Sequence, residues 1–153
     1  MLLSLLRYSN DCVGVGCDIS GEALKVADKN AAALGLEAEF IQSNLFENID
    51  GKYEIIVSNP PYIASGEIPG LMEEVREHDP LMALDGGEDG LVFYREITGK
   101  AGEFLYPGGM LFLEIGCGQA QAVTEYMKGA GYRDVTVCRD LAGLDRVVYG
   151  VWR

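Results

Sequence analysis

The sequence predicts an α/β fold with a mostly parallel sheet, and three observations carry that prediction. Strand-like and helix-like patterns alternate almost without pause from Cys12 to Gly131. Tyr53–Ser58 (YEIIVS) reads as a continuous apolar strand of the kind buried on both faces. The chain then ends in two strand-like runs, Asp134–Arg139 and Arg146–Val151, separated by Leu141-Ala142-Gly143-Leu144-Asp145. Alternating βα units need crossover connections, which set strands parallel with helices on both faces. The final pair fits an antiparallel hairpin at a sheet edge.

Each element follows from local chemistry. Cys12–Asp18 (CVGVGCD) reads as a buried strand ending in an acid. Ser20 suits the N-cap of a helix from Gly21 to Leu34, since its hydroxyl can accept from an unpaired backbone N–H. Leu24, Ala27 and Ala31 share one helical face, and Gly35 closes the helix at the position where a left-handed residue is needed. Glu39–Gln42 is a short strand, followed by Ser43-Asn44-Leu45-Phe46. After Tyr53–Ser58 comes Asn59-Pro60-Pro61-Tyr62 and an irregular stretch reaching about Gly90. Its length from Ile63 to Asp89 exceeds the ~12–15 residues usual for structureless connections, and such loops are often functional. Leu91–Leu105 is helical by period, with Asp89 as its cap. Pro107-Gly108-Gly109 turns the chain into a strand, Met110–Ile115, and Gln119–Ala130 is a helix stopped by Gly131.

A chain of 153 residues suits one domain with a single buried core. Its apolar runs are strand-sized and fall short of the ~20 residues that cross a bilayer. Met1–Arg7 lacks a basic leader and a small-residue cleavage site, so it reads as the end of a helix rather than a signal peptide. The net charge of −12 is spread along the chain, with no cluster of Lys and Arg to meet a phosphate backbone, which disfavours nucleic acid as the main partner. Cys12, Cys17, Cys117 and Cys138 show no metal-ligand spacing and read as reduced thiols of a cytoplasmic protein. No metal is expected. Asp85–Gly90 imitates a calcium loop only in part, because its third position is glycine. His78, the only histidine, has no nucleophile and acid beside it in the sequence, and Glu114 at a strand end suits either a ligand contact or an ion pair.

The chemistry concentrates at Asn59-Pro60-Pro61-Tyr62. Ligands of open α/β sheets sit at the carboxyl ends of the strands, where this tetrapeptide lies. The Asn59 side-chain oxygen and the Pro60 carbonyl can accept the two N–H groups of a planar amide or amine. Pro61 restricts the backbone that presents the Pro60 carbonyl. Tyr62 can stack on the amide plane, and its π-face suits a cation such as a sulfonium. A turn after a strand is the competing account. Asp18, between a strand and a helix, can accept from both hydroxyls of a ribose, or serve as a loop or capping aspartate. Asn44 can accept from an adenine amino group, with Leu45 and Phe46 as an apolar wall or as core.

Taken with Asp18-Ile19-Ser20, Glu74-Val75-Arg76-Glu77-His78-Asp79-Pro80, Ala83-Leu84-Asp85-Gly86-Gly87-Glu88-Asp89-Gly90 and Asp140-Leu141-Ala142-Gly143-Leu144-Asp145-Arg146, the Asn-Pro-Pro-Tyr segment resembles the HemK-like release factor glutamine methyltransferases. The resemblance runs over essentially the whole chain. It implies a Rossmann-like methyltransferase sheet, with residues 1–153 as part of one S-adenosyl-L-methionine-dependent domain. It also implies methyl transfer to the glutamine side-chain nitrogen in the Gly-Gly-Gln loop of peptide chain release factors. On this resemblance Asp18 holds ribose, Asn44 and Leu45 meet adenine, and Asn59, Pro60, Pro61 and Tyr62 hold the glutamine amide, with Asn59 also at the cofactor. The family usually has Asp at position 44. Its first strand and glycine-rich cofactor loop precede the part matched here, as does its N-terminal helical domain. An incomplete sheet would then invite rearrangement or self-association. The same tetrapeptide also serves methylation of exocyclic amines on DNA or RNA, and a catalytically silent association module is the third reading.

Overall fold

The computed structural model describes residues 1–9, 11–73 and 80–153 of the chain. These divide into two compact units, Met1–Asp50 and Gly51–Arg153. The Glu74–Asp79 part of the segment singled out above, with His78, lies outside the described residues.

The first unit comprises α1 (Leu2–Tyr8), β1 (Val15–Asp18), α2 (Gly21–Leu34) and β2 (Glu39–Gln42). Helix α2 has the limits its caps dictate. The Ser20 hydroxyl accepts from the Ala23 N–H at 3.2 Å, and Gly35 adopts φ 65°, donating to the Ala31 and Ala32 carbonyls. Ala31 is buried and Leu24 and Ala27 are half-buried, so the apolar face is the one the spacing marks out. Strands β1 and β2 run parallel, from Val15 opposite Glu39 to Asp18 opposite Gln42. The Ser43 N–H extends the ladder to the Asp18 carbonyl at 3.0 Å. Strand β1 is shorter than Cys12–Asp18, and Cys17 and Asp18 are exposed. Burial on both faces needs a wider sheet than this two-stranded one. Added to Gly14, a methyl group would meet the side chains of Leu2 and Leu6, which places α1 against the approach to β1.

The second unit carries β3 (Tyr53–Ser58), a 3₁₀ turn at Ile68–Gly70, α3 (Leu81–Leu84), α4 (Val92–Lys100), a 3₁₀ turn at Ala101–Glu103, β4 (Leu105–Glu114), α5 (Ala120–Ala130), β5 (Arg133–Arg139) and β6 (Asp145–Val151). The sheet order is β3-β4-β6-β5, with β3 and β4 parallel and β6 antiparallel to both β4 and β5. The fold is therefore α/β, with parallel pairs and a C-terminal antiparallel hairpin whose outer strand is the sheet edge.

Alternation along β4 fixes the core. Leu111, Leu113 and Ile115 are fully buried, as are Val148 of β6, Tyr94 and Ile97 of α4, and Val123 and Met127 of α5. Side chains of this kind contribute about 1.5–3 kcal/mol each when removed from water. Strand β3 has the expected limits but not the expected burial, since Ile55 is 57% exposed. Among the described strands it pairs only with β4, at the edge of its sheet. Helix α4 also stops earlier than its apolar period suggests, because Leu105 leaves the helical course to pair with Tyr53. The Pro107–Gly109 turn is present inside β4. Tyr53 faces Leu105 and Ile55 faces Met110, so Tyr106–Gly109 bulge out opposite Glu54, with Gly108 at φ 85°.

Candidate active site

Strands β3 and β4 are parallel, so their carboxyl ends share one edge of the second unit's sheet. Asn59-Pro60-Pro61-Tyr62 leaves β3 at that edge. Asn59 is exposed, Pro60 is buried and Tyr62 is half-buried. Among the described residues nothing hydrogen-bonds the Asn59 side chain, which leaves its amide for a ligand.

The long connection after Tyr62 is built onto the tetrapeptide. The Ile63 N–H donates to the Leu84 carbonyl at 3.1 Å, and the Gly86 N–H returns to the Ile63 carbonyl at 2.8 Å. The Ser65 N–H then donates to the Gly87 carbonyl at 2.9 Å, and Ile63 and Asp85 form a parallel bridge. Asp85 pins this ladder, its Oδ1 accepting from the Ser65 hydroxyl at 2.7 Å and the Gly87 N–H at 2.9 Å. Those two bonds, the Ser65 one first, hold its carboxyl below the usual carboxylate range. Asp89 is not the cap expected of it: Leu91 is the N-cap of α4 and makes no side-chain cap bond, and Asp89 accepts from the Leu91 N–H at 3.0 Å to close the turn before the helix, with Gly90 at φ 69° between them. The pairing of Asp89 with Arg95, at 2.7 Å, is the main cause that lowers its own pKa.

A carboxylate whose folded pKa is depressed stabilises the fold above its unfolded value, near pH 4, and loses that contribution as pH falls through the folded value. Asp85→Asn is therefore expected to be less stable than the parent at neutral pH. The gap between their melting temperatures should narrow once pH drops below about 4. Paired thermal melts across that range check this, and a constant gap would contradict it.

The ladder packs with no spare room. A methyl group on Gly86 would meet the Gly90 Cα, the Pro61 carbonyl oxygen and the Tyr62 Cα, each at 2.9 Å. Gly90 adopts φ 69°, and a methyl there would fall on the Tyr62 carbonyl. Beneath them Tyr94 is fully buried and donates to the Glu114 carbonyl at 2.9 Å. Burial first, and then the neighbouring Tyr62, push its phenol well above the ordinary tyrosine range. The engaged group at Glu114 is thus its backbone. Gln119 was not among the residues singled out from the sequence. Its side chain reaches Tyr62, Gly90 and Gly116.

The other expected residues lie in the first unit. An open groove of about 510 Å³ is lined by Ile19, Gln42, Ser43, Asn44, Glu47 and Asn48. Asn44 lines it, its Nδ2 donating to Glu47 Oε1 at 3.0 Å, and among the described residues its side-chain oxygen accepts no hydrogen bond. Asp18 adjoins the groove through Ile19. One of its oxygens accepts from the Ser20 N–H at 2.8 Å, and the carboxylate is exposed. Leu45 is not a lining residue. It sits at φ 49°, and its carbonyl accepts from the Ser43 hydroxyl at 2.9 Å. Ser43 is the buried organiser of this loop, since it also accepts from the Asn48 N–H at 3.0 Å. Among the described residues no three His, Cys, Asp or Glu side chains converge to hold a metal ion. No described helix is long and apolar enough to cross a membrane.

Residues 2–98 match the family model described as the methyltransferase small domain. A release factor glutamine methyltransferase of Agrobacterium fabrum is 46% identical over 148 residues, 95% of this chain and 51% of that protein. The chain spans about half the length of the curated relatives it matches. Among solved structures, a methyltransferase from Pyrococcus furiosus matches 97% of this chain and 67% of its own, with a TM-score of 0.71 at 14% identity. The release factor-specific protein-(glutamine-N5) methyltransferase of Alicyclobacillus acidocaldarius matches 96% of this chain and 83% of its own, with a TM-score of 0.51 at 23% identity. At those identities the two structures speak for the fold.

Proposed function

The chain belongs to the methyltransferase small domain family, and from that premise we propose that the whole protein methylates a release factor. In this reading it is a cytoplasmic enzyme, and residues 1–153 form part of its S-adenosyl-L-methionine-dependent domain. The acceptor is the side-chain amide nitrogen of the glutamine in the Gly-Gly-Gln loop of peptide chain release factors. The observation that carries the reading is Asn59 at the carboxyl end of β3, directly before the buried Pro60, exposed and with no hydrogen bond to its side chain among the described residues. The 46% identity to a release factor glutamine methyltransferase supports the choice of acceptor.

The residues of the first unit fit the adenosine part of the cofactor. The groove's volume lies within the range of small-molecule sites. Asn44 offers an acceptor for an amino group, and the Asp18 carboxylate has one oxygen left over for ribose hydroxyls. Ile19 supplies apolar surface for a ring. When bound, S-adenosyl-L-methionine supplies an electrophilic methyl group on a sulfonium. Asn59 and the Pro60 carbonyl accept the two N–H groups of the substrate amide and fix the nitrogen. Pro61 limits the backbone that presents the Pro60 carbonyl. Tyr62 gives the amide plane a face to stack on. Two acceptors favour positive charge developing on that nitrogen, and no strong base is required. Positioning supplies most of the acceleration, for which roughly 7–11 kcal/mol is available from well-oriented reactants.

Offering equal amounts of release factor, duplex DNA and RNA with labelled cofactor tests this reading. The chain is assayed beside a version with the full length of its relatives. Label in the release factor alone is the expected result. Label in either nucleic acid, or none with the extended version, would overturn it.

A further inference from the structure

We infer that Gln119 is a positioning residue for the amide-binding segment Asn59–Tyr62, an inference that rests on the reading of that segment as the methyl-acceptor site. Its side-chain amide ties three separate stretches of backbone together. Nε2 donates to the Tyr62 carbonyl at 2.9 Å and to the Gly90 carbonyl at 3.0 Å, while Oε1 accepts from the Gly116 N–H at 3.0 Å. Both N–H groups and the carbonyl oxygen are thus engaged. The backbone of Gln119 donates to the Gly116 carbonyl at 3.0 Å, so the turn between β4 and α5 fixes where the side chain starts.

The surroundings hold this amide in one place. A methyl on Gly116 would meet Gln119 Oε1 at 3.0 Å and the Tyr62 Cδ2 at 3.3 Å, and one on Gly90 would meet Gln119 Nε2 at 2.9 Å. Three stretches of backbone, two of them at glycines, therefore converge where a larger residue at Gly90 or Gly116 would separate them. The Tyr62 carbonyl is two residues from the Pro60 carbonyl, the proposed second acceptor. Pro61 between them has a ring-fixed φ, so few backbone torsions are left to absorb a shift. Anchoring Tyr62 through Gln119 thereby orients Pro60 and seats the Tyr62 ring against the substrate amide. The other N–H of the same amide binds Gly90, coupling the Ala83–Gly90 loop to the tetrapeptide. Both contacts are made by side-chain N–H groups, so the chemistry demands an amide at this position.

Two substitutions and one control test the assignment in the protein version that methylates release factor. Gln119→Glu keeps the shape but turns carboxylate oxygens toward two carbonyls, and only its protonated form can donate. Gln119→Met keeps the length and makes none of the bonds. Gln121→Ala alters an exposed neighbour on α5 whose side chain, among the described residues, bonds only Glu125, and it should match the parent. Gln119→Glu is expected to lower kcat on the order of 100-fold near neutral pH, with the dissociation constant for S-adenosylhomocysteine unchanged. Relative to the parent it should recover activity as pH falls toward about 5, where the carboxyl begins to protonate, while Gln119→Met should lose activity without recovering. Unchanged kcat in Gln119→Glu would overturn the inference. So would equal losses in both variants with no pH recovery, or failure of both to fold, since either would mark a scaffold residue. A parent that methylates no release factor would overturn the underlying reading, and the inference with it.

Discussion

Asn59→Ala is expected to lower methyl transfer by about 100- to 1,000-fold, the scale seen when one preorganised polar group facing a developing charge is removed. The substitution takes away one of two acceptors that fix the substrate nitrogen, and the Pro60 carbonyl alone leaves the amide free to rotate. Stability should barely change. Asn59 is exposed and no described residue hydrogen-bonds its side chain, so truncation breaks nothing in the fold and the effect should stay within about 0.5 kcal/mol. Asn59→Asp sharpens the test because a carboxylate still accepts. It should retain more activity than the alanine variant if acceptance of an N–H is the role. Steady-state transfer assays and thermal melts on the three proteins check this. Full activity in Asn59→Ala would remove the residue from the mechanism.

Gly90→Ala is expected to cost about 3 kcal/mol, which for a chain of this size lowers Tm by roughly 6–12 °C. Two effects add at this position. The φ of 69° is one that an alanine adopts only with strain, and the new methyl would fall on the Tyr62 carbonyl and within 2.9 Å of Gln119 Nε2. Gly86→Ala should also destabilise, because all three neighbours of its added methyl are backbone atoms that cannot swing aside. The contrasting substitution is Gly99→Ala in α4, where nothing lies within 4 Å. Relieving a helical glycine there should raise stability by about 0.5–1 kcal/mol. Because Gly90 and Gly86 brace Tyr62, their alanine variants should also lose transfer activity at temperatures where they remain folded. Equal Tm values for the three variants would contradict the packing described for this loop.

Features set by near neighbours in the chain were readable from the residues. Helix α2 has its expected limits because Ser20 and Gly35 solve the problem of its unpaired ends locally. The hairpin of β5 and β6 follows from two alternating runs around a short turn. Features set by distant partners were not. The exposure of Ile55 depends on how many strands flank β3, which its apolar run does not encode. The end of α4 depends on Leu105 finding Tyr53 across the sheet, and the helical period continues past it.

The candidate site divides in the same way. Asn59–Tyr62 and Asn44 stood out because their side-chain chemistry is legible at their position after a strand. Ser43, Glu47 and Asn48 were missed, although a small hydroxyl followed by an amide a turn later is a pattern that binds loops to themselves. In the sequence Gln119 reads only as the start of a helix. Its role appears once Tyr62, Gly90 and Gly116 are brought together, and no local pattern announces that. The loop Ala83–Gly90 was recognisable as specific to a family before its physical reason was visible. Its Gly86 and Gly90 are demanded by the backbone of Pro61 and Tyr62, its Gly87 by a φ of 87° and the Val92 side chain, and its Asp85 by Ser65 and Gly87.

The measurement that bears most directly on the proposed function is fragmentation mass spectrometry of a release factor after incubation with S-adenosyl-L-methionine and the protein extended to the relatives' length. One added methyl group is expected on the side-chain nitrogen of the glutamine in the Gly-Gly-Gln loop, lost when Asn59 is alanine. A methyl group on any other residue, or the same product from the Asn59→Ala protein at the parent's rate, would contradict the proposed function.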